Sequence, residues 1–504
     1  MSVFKVITIG DSVAWGQGLM PEQKFDRLAA LDIAAAIRAG EFLVENRAHS
    51  GATIGLSDQG ALDVNVLAWQ EVPNGAPTVL DQIRADDWDA NLVILVAGIN
   101  DINFREILNP TALSDTALDA RIQEHCFGSM RSLLAGMRGQ FPRALIVVAG
   151  YYPMLSEESE LDVLRLAAAL LALPFSPLAV ALLSAPVVKR ATRRIRRFQQ
   201  AQLHWLRRAV ADVQADPGLR GPGILFAHPA FGPRNSVGAP GALLFGPQRP
   251  ESAEAALAEA LESPLATGLM IDPKDPQEQP RRAACAATRT GAELVTCRVA
   301  SIGHPNQAGA RRYADAVVRA VLRDRRMSLR DFLSSHRSTE PLLSLNQALR
   351  RHRPLAKNGS VRTLIRNEVI DSIALEVRTR NAEFAGTDHP VYLRLGPGKE
   401  WLLNESLVGG DLANDFEPGQ VSWYFIDPAE GKLDGRLRLQ DLTEFTLELR
   451  FSVEGALGGD WGPEAARLAI NGQEVLAVEI GREFHVNPGR PIDAWTVPLF
   501  PRKV

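Results

Sequence analysis

Short apolar runs rich in β-branched residues recur through the first half of the chain, with longer helical or loop-like stretches between them. Each run is too short for a helix and is typical of a buried strand. The predicted strands cover residues 4–9, 42–45, 92–97, 145–149 and 224–227. Because strands that alternate with helical stretches form crossover units, we predict an α/β domain over residues 1–330, with a parallel sheet between helices on both faces.

The pattern changes in the last third of the chain, where apolar and polar residues alternate in short runs. Strand-like segments cover residues 373–378, 391–395, 421–426, 445–451 and 467–470, and turn pairs such as Asn471-Gly472 follow some of them. This pattern predicts an antiparallel β-sandwich over residues 361–504. A polar and basic stretch over residues 331–360 is predicted to be the linker.

An apolar and then basic insert, residues 161–208, lies between the fourth and fifth predicted strands. Its apolar part approaches the length of a membrane span, but Pro174 and Pro177 interrupt it. A spanning helix would also put two halves of one sheet on opposite sides of a bilayer. We therefore expect two short apolar helices, packed in the core or exposed as a lid.

The basic part of the insert, residues 189–208, predicts an amphipathic helix with a basic face. That face is either solvated or in contact with an anionic lipid surface. Further on, the long Gly- and Pro-rich segment over residues 228–301 ends just before His304. Long loops in compact domains are commonly functional, so we expect this segment to form the wall of a substrate pocket.

Composition and charge narrow the function classes. The chain has 504 residues, 46% hydrophobic and 23% charged, which is typical of a globular protein with two or three domains. A net charge of −4 gives no general attraction to nucleic acid, so no such partner is expected. Because a core strand begins almost at once, without a leader, we expect a cytoplasmic protein or one exported without a cleaved signal peptide.

The cysteine content says little about disulfide bonds. Three cysteines are too few for a disulfide framework in a chain of this length. Cys285 and Cys297 are close enough in sequence to pair across a short loop.

Residues suited to catalysis follow three of the predicted strands, and another precedes a late predicted helix. Ser12, Gly51 and Asn100 come after the first, second and third strands, and His304 precedes a helical stretch over residues 310–322. Taken singly, each is typical of a turn or a helix cap. Taken together they suit acyl transfer, in which a serine needs a histidine base and an oxyanion needs hydrogen-bond donors.

The blocks Gly10-Asp11-Ser12, Gly51, Gly98-Ile99-Asn100-Asp101 and His304-Pro305-Asn306 resemble the four blocks of the SGNH, or GDSL, hydrolases. The resemblance implies a flavodoxin-like sheet and a carboxylic ester hydrolase that uses no cofactor or metal. It also implies Ser12 as nucleophile and His304 as base. The oxyanion donors it implies are the N–H groups of Ser12 and Gly51 and the Asn100 side chain.

One position departs from that family pattern. The family usually has an aspartate three residues before the histidine, where this chain has Ser301. The Ser301 hydroxyl or a backbone carbonyl then orients the ring, or an acid such as Asp272 or Glu293 replaces the missing one. A weak or inactive enzyme is the third alternative. We expect activity because every other block is retained.

Fragments of the second domain resemble the PLAT, or lipoxygenase-homology, β-sandwich. They are Gly386-Thr387-Asp388, Val391-Tyr392-Leu393, the segment over residues 414–419, and Gly459-Asp460-Trp461. The resemblance implies docking to lipid or to a protein. Some such domains bind calcium, and Asp388, Asp415 and Asp460 have suitable oxygen ligands. We favour solvated turn carboxylates and predict no metal.

The sequence therefore predicts a lipase- or phospholipase-like serine esterase whose substrates are lipid or other acyl esters. One alternative is an esterase or acyltransferase acting on acylated sugars, with the sandwich docking to a protein. Another is a non-catalytic lipid- or protein-binding module that has kept a hydrolase fold.

Overall fold

A computed structural model describes most of the first half of the chain and the main strands of the second half. The described residues are 3–37, 39, 41–55, 71–72, 77–84, 89–108, 114–160, 185–219, 221–246, 275–290, 294, 297–323, 370, 372–382, 390–395, 400–403, 419, 421–426, 446–452, 459–471, 473–486 and 492–498. The apolar part of the predicted insert over residues 161–184 and the predicted linker over residues 331–360 lie outside them.

The chain forms two compact units. The first comprises residues 1–202 and 209–355, and the second comprises residues 203–208 and 356–504. The predicted boundaries at residues 330 and 360 stay predictions, because residues 324–369 lie outside the described part of the chain.

A five-stranded parallel sheet forms the core of the first unit, as predicted. Its strands are β1 (Val3–Gly10), β2 (Glu41–Asn46), β3 (Leu92–Val96), β4 (Leu145–Ala149) and β5 (Ile224–Ala227). They are ordered β2-β1-β3-β4-β5, and every neighbouring pair is parallel. All five residues of β3 and of β4 are buried, which explains why these strands are continuously apolar in sequence.

Helices connect and cover the strands of this sheet. They are α1 (Ser12–Trp15), α2 (Phe25–Ile37), α3 (Ile99–Ile102), α4 (Phe104–Leu108), α5 (Asp115–Gln123), α6 (Met130–Gln140), α7 (Ala185–Ala215), α8 (Glu278–Thr288) and α9 (Gln307–Arg323). Because the strand order reverses after β1, right-handed crossovers place α2 and the helices after β3 on opposite faces. The carboxyl ends of β1 and β3 then meet at the switch point, where open sheets of this type bind ligands.

The helix predicted over residues 189–208 is the middle of α7, and much of its basic face is paired within the first unit. Arg194 is 1% exposed and pairs with Asp115 at 2.8 Å, while Arg197 donates to Asp119 at 2.8 Å. These ion pairs join α7 to α5. They support a structural use of the basic face over the predicted contact with anionic lipid. Nowhere in the described part of the chain is a helix both long and apolar enough to cross a bilayer.

The second unit contains antiparallel sheets, as predicted. The strands are β6 (Ile373–Thr379), β7 (Val391–Leu395), β8 (Glu400–Leu402), β9 (Val421–Ile426), β10 (Thr446–Ser452), β11 (Gly459–Trp461), β12 (Pro463–Ile470), β13 (Gln473–Glu479), β14 (Phe484–Val486) and β15 (Ile492–Pro498). Two four-stranded sheets have the orders β15-β10-β7-β8 and β13-β12-β6-β9, and β11 pairs with β14.

Both four-stranded sheets contribute to one apolar core, which is the arrangement of a β-sandwich. Alternate residues of β6 and β10, such as Leu375 and Leu449, are completely buried in this core. Trp461 is 0% exposed and Trp401 is 9% exposed, as expected for core tryptophans, whereas Trp423 is half-buried. The predicted turn at Asn471-Gly472 is confirmed, since it joins β12 to β13 and Asn471 has a φ of 51°.

The calcium candidates do not assemble within the described residues. Asp388 and Asp415 lie outside them, and Asp460 lies in β11, paired with His485 of β14. Within the ranges given above, no three His, Cys, Asp or Glu side chains form a group suited to a metal ion.

Cys285 and Cys297 form a disulfide, and Cys126 is a buried free thiol. The bond joins α8 to the segment that leads to His304. It therefore restrains a part of the chain that continues directly into the candidate active site.

We expect the denatured, unreduced protein to show one thiol in a dithionitrobenzoate titration and the reduced protein three. Removal of the bond by Cys285→Ser with Cys297→Ser should lower the free energy of unfolding by about 2–3 kcal/mol, because it closes a short loop. Cys126→Ser is the control, and its unreduced form should show no thiol. Three thiols without reductant would contradict the pairing.

Candidate active site

The turn after β1 presents Ser12 at the carboxyl edge of the sheet. Gly10 has a φ of 143°, and a Cβ there would lie 1.9 Å from the Val96 carbonyl oxygen, so only glycine fits. The next residue, Asp11, donates its N–H to the same Val96 oxygen at 3.0 Å. The chain then enters α1, whose first residue is Ser12, with 9% of its surface exposed.

Asp11 is the N-cap of α1 and not a free acid. Its Oδ1 accepts the Val13 N–H at 2.9 Å, and its Oδ2 accepts the Tyr151 hydroxyl. Complete burial raises its pKa to about 7, although the bonds from Tyr151 and the backbone oppose this shift. Asp11 therefore fixes the start of the helix that carries Ser12.

His304 meets Ser12 directly, since its Nε2 lies 2.7 Å from the Ser12 Oγ. The segment before α9 that holds the ring is paired with residues 243–245 of the Gly- and Pro-rich loop. Phe245 N–H donates to the His304 carbonyl and Gly303 N–H to the Phe245 carbonyl, each at 2.8 Å. The loop predicted to form the pocket wall therefore supports the histidine, at least in its described part.

The His304 ring is held neutral. Although the residue as a whole is half-buried, its Nδ1 is fully buried and has no hydrogen-bond partner among the described residues. Burial, and after it the Arg281 charge, lowers the pKa of the ring to about 4, while backbone groups of residues 300–302 oppose the shift. A neutral ring at pH 7 is the form that can accept a proton from Ser12.

Ser301, where the family has an aspartate, is turned to a different partner. Its hydroxyl is buried and accepts a hydrogen bond from Arg281 Nη2 at 3.0 Å. No hydrogen bond between described residues joins this hydroxyl to the His304 ring, and none joins a backbone carbonyl to His304 Nδ1. The other two candidates, Asp272 and Glu293, lie outside the described residues.

Arg281 of α8 sits behind the histidine segment, with its side chain 0% exposed. It forms an ion pair with the equally buried Asp275, and its Nε donates to the Arg298 carbonyl at 3.0 Å. A buried guanidinium is stable only when its charge and its N–H groups are satisfied. These bonds therefore hold α8 against the segment that carries Ser301 and His304.

Glu71 extends this network to the nucleophile side. Its Oε2 lies 3.3 Å from Arg281 Nη1 and accepts the Gly18 N–H at 3.0 Å, while Oε1 accepts the Trp15 indole N–H at 3.0 Å. Burial raises the pKa of Glu71, and the Arg281 charge opposes that rise. One carboxylate thus ties the end of α1 to the arginine behind His304.

The turns after β2 and β3, which carry two of the candidate oxyanion residues, are hydrogen-bonded to each other. Asn100, in α3, donates one N–H of its side chain to the Ala52 carbonyl at 2.9 Å, next to Gly51. Asp101 accepts the Ile54 N–H at 3.0 Å and binds the same two turns together. Within the described part of the chain, the N–H groups of Ser12 and Gly51 donate to no protein acceptor.

The structure joins the described residues predicted for the site in two pairs. Ser12 and His304 are in contact, and Asn100 is bonded next to Gly51. Sequence reasoning missed Tyr151, Glu71 and Arg281. Tyr151 had a signal, because it follows β4 as Ser12 follows β1. Glu71 and Arg281 had none, since they come from segments far apart in the chain.

In the first unit a serine and a histidine are in contact at the carboxyl edge of a parallel sheet, which is the arrangement of a GDSL-lipase-like domain. Residues 8–235 match the model of the GDSL-like lipase/acylhydrolase family. The match includes Ser12, Gly51 and Asn100 and ends before His304. It supports a hydrolase acting on esters.

The chain is also similar to individual proteins over part of its length. A phospholipase C from Clostridium haemolyticum is 28% identical over 134 residues, which are 26% of this chain and 30% of that protein. The chain thus spans less than a third of the curated relative that it matches.

Two solved structures are weakly similar to this chain. An extracellular lipase from Streptomyces rimosus is 17% identical, covers 48% of this chain and 87% of its own, and has a TM-score of 0.26. A phospholipase A1 from Streptomyces albidoflavus NA297 has the same identity and coverage, with a TM-score of 0.27. At TM-scores this low, the two likenesses say nothing about activity.

We expect the His304 ring to titrate near pH 4, below its ordinary value of 6.5, because burial and the Arg281 charge disfavour the imidazolium. The unfolded chain takes up this proton at higher pH than the folded protein does. The contribution of His304 to the free energy of unfolding therefore falls as the pH drops from 6.5 toward 4.

NMR of the imidazole nuclei, assigned with a His304→Gln variant, measures the titration midpoint. A midpoint at or above the ordinary value would contradict the assigned environment.

Proposed function

We propose that the first unit is a serine ester hydrolase that acts on lipid esters through an acyl-enzyme intermediate. The observation that carries the proposal is the 2.7 Å contact between Ser12 Oγ and His304 Nε2, beside unpaired backbone N–H groups. The family match over residues 8–235 supports ester hydrolysis in general.

In the proposed first half-reaction, Ser12 Oγ attacks the ester carbonyl carbon and its proton passes to His304 Nε2. The negative charge on the carbonyl oxygen is held by the N–H groups of Ser12 and Gly51 and by the Asn100 side chain. When the tetrahedral intermediate collapses, the C–O bond to the alcohol breaks and the alcohol takes the proton from His304. In the second half, water repeats these steps and releases the acid.

In this proposal, no carboxylate of the described residues bonds to the proposed base. A carboxylate would stabilise the imidazolium that forms in the transition state. Here the backbone groups of residues 300–302 are the groups that favour the protonated ring, and Arg281 disfavours it. We therefore expect a hydrolase whose turnover is slower than that of a complete triad.

The lipid substrate is inferred from the family description and from the phospholipase C relative, which is 28% identical to this chain over 134 residues. In this proposal the β-sandwich of the second unit, which we interpret as PLAT-like, docks to lipid or to a protein partner. The disulfide between Cys285 and Cys297 favours an oxidising compartment, and hence the exported alternative for location.

A non-catalytic binding module is the second candidate, and one observation favours it. Burial and the Arg281 charge both lower the pKa of the proposed base, which reduces the basicity that catalysis needs. An activated serine reacts with a fluorophosphonate probe, whereas an unactivated one does not. This reaction separates the two candidates.

We expect a fluorophosphonate to label Ser12, identified by mass spectrometry of the peptide. Ser12→Ala should lose labelling and at least about 1,000-fold of the nitrophenyl ester hydrolysis, because no other nucleophile is placed in the site. Ser159→Ala, which removes another buried serine hydroxyl, is the control and should keep both. A wild-type protein that is folded but never labelled would overturn the hydrolase proposal.

The substrate class needs its own comparison. Long-chain nitrophenyl esters in mixed micelles should be cleaved faster than short soluble esters. Preference for short esters or for acylated sugars would remove the lipid part of the proposal and leave the hydrolase.

Restoring the missing acid should improve the base. We expect Ser301→Asp to raise kcat at pH 7 by about tenfold or more, because a carboxylate there stabilises the imidazolium. It should also raise the pKa of His304. Ser301→Asn has nearly the same shape without the charge and is the matched control. Equal kcat values for the two variants would show that the acid position does not limit the reaction.

A further inference from the structure

Tyr151 places one hydroxyl group between the two turns that carry the proposed nucleophile and oxyanion residues. It follows β4 by two positions and is 1% exposed. Its oxygen accepts the Ile99 N–H at 3.1 Å and donates its proton to Asp11 Oδ2. The hydroxyl is therefore occupied on both sides by groups from different strands.

Each of these two partners is the residue next to a proposed catalytic group. Asp11 precedes Ser12 and caps α1, so its position sets the direction of the Ser12 N–H. Ile99 precedes Asn100 and is the first residue of α3. The separation between these two neighbours therefore affects whether the Ser12 N–H and the Asn100 side chain can reach one oxygen atom.

We propose that Tyr151 is a positioning residue for the oxyanion site, in which its hydroxyl sets the spacing between the Asp11-Ser12 turn and the Ile99-Asn100 turn. This inference rests on the proposed ester hydrolysis. Tyr151 itself does not touch the substrate. It acts through Asp11 and Ile99.

The surroundings of Tyr151 suit this role because they hold the residue itself in place. Gln202 of α7 accepts the Tyr151 N–H at 3.3 Å and donates to its carbonyl at 3.4 Å. The ring packs against Phe198 of the same helix, with the centroids 6.0 Å apart. A phenol fixed at its backbone and its ring presents its oxygen at a defined point, which a mobile water molecule does not.

The chemistry of the two partners explains why a hydroxyl is needed. A carboxylate only accepts hydrogen bonds, and a backbone N–H only donates them. The Tyr151 oxygen does both at once, so it satisfies two buried groups that have opposite requirements. A phenylalanine would leave both groups unpaired, and the two turns would be free to move apart.

The test is Tyr151→Phe, with Tyr313→Phe as the matched control. Tyr313 is also completely buried, and its hydroxyl donates one hydrogen bond, to the Gly150 carbonyl at 2.8 Å. In the described part of the chain, no hydrogen bond or ring contact joins Tyr313 to the two turns. Both variants keep a ring of the same shape, and both should lower Tm.

We expect kcat for a nitrophenyl ester to fall by about 10- to 100-fold in Tyr151→Phe, because a small displacement of oxyanion donors slows the chemical step. KM should stay within about twofold, since the substrate-binding surface is unchanged. Tyr313→Phe should keep both kinetic constants. Equal kcat values in the two variants, or a loss in Tyr151→Phe that appears only in KM, would overturn the inference.

A second variant, Asp11→Asn, is compared with the wild type and so keeps the test decisive if Tyr151→Phe does not fold. Asp11→Asn preserves an acceptor for the Val13 N–H and offers an N–H to the Tyr151 oxygen. Its kcat should therefore fall by less than about tenfold, with KM within about twofold, and a larger loss would contradict the inference.

Where Tyr151→Phe folds, the double variant should lose no more kcat than Tyr151→Phe alone. A loss in the double variant equal to the product of the two single losses would contradict coupling through this hydroxyl.

Failure of this inference is distinguishable from failure of the proposed function. A wild-type protein without ester hydrolysis and without serine labelling would overturn the function, and with it this role for Tyr151. An active wild type whose Tyr151→Phe and Tyr313→Phe variants behave alike would overturn only the role of Tyr151.

Discussion

The buried Arg281 guanidinium is the constraint on which the candidate site depends. A fully buried charge is stable only if several groups turn toward it, and here these include Asp275, Glu71, Ser301 and the Arg298 carbonyl. Glu71 belongs to the Ser12 side through Trp15 and Gly18, whereas Ser301 belongs to the His304 side. Satisfying one cation therefore brings two distant segments to a fixed separation.

The same cation adds to the effect of burial in lowering the pKa of the proposed base. In a complete triad, a carboxylate both orients the histidine and stabilises its protonated form. Among the described residues no group bonds to the buried ring nitrogen; backbone groups of residues 300–302 favour the protonated ring, and the Arg281 charge opposes it. The ring consequently stays neutral and ready to accept a proton over a wide pH range. The same cation makes the imidazolium less favourable, so availability of the base and stabilisation of the transition state are in opposition.

Two independent polar networks thus flank the proposed nucleophile. On one side, Arg281 and Glu71 hold the histidine segment, with the disulfide between Cys285 and Cys297 restraining the same segment covalently. On the other side, Tyr151 and Asp11 join the turns that carry the proposed oxyanion donors. Both networks are buried, where hydrogen bonds are stronger and unpaired groups are costly. Burial therefore gives the site a rigidity that exposed turns alone would lack.

Much of the fold was predictable because its signals are local. Apolar runs such as those of β3 and β4 identify buried strands, and the alternation of strands with helical stretches identifies a parallel sheet. The sandwich was also predictable from its alternating runs, although β8, β11, β13, β14 and β15 were missed. β13 contains two charged residues, Glu474 and Glu479, which weaken its strand pattern.

The sequence by itself determined the candidate residues Ser12, Gly51, Asn100 and His304, because each stands at a recognisable turn or helix start. It also exposed the absence of an acid at Ser301. Only the tertiary structure decided which groups hold the turns together and that the Ser301 hydroxyl bonds to Arg281. Arg281, Glu71 and Tyr151 act across large separations in the chain, and a contact between distant segments leaves no local pattern. Their roles follow from burial, which forces each polar group to find a partner wherever the fold supplies one.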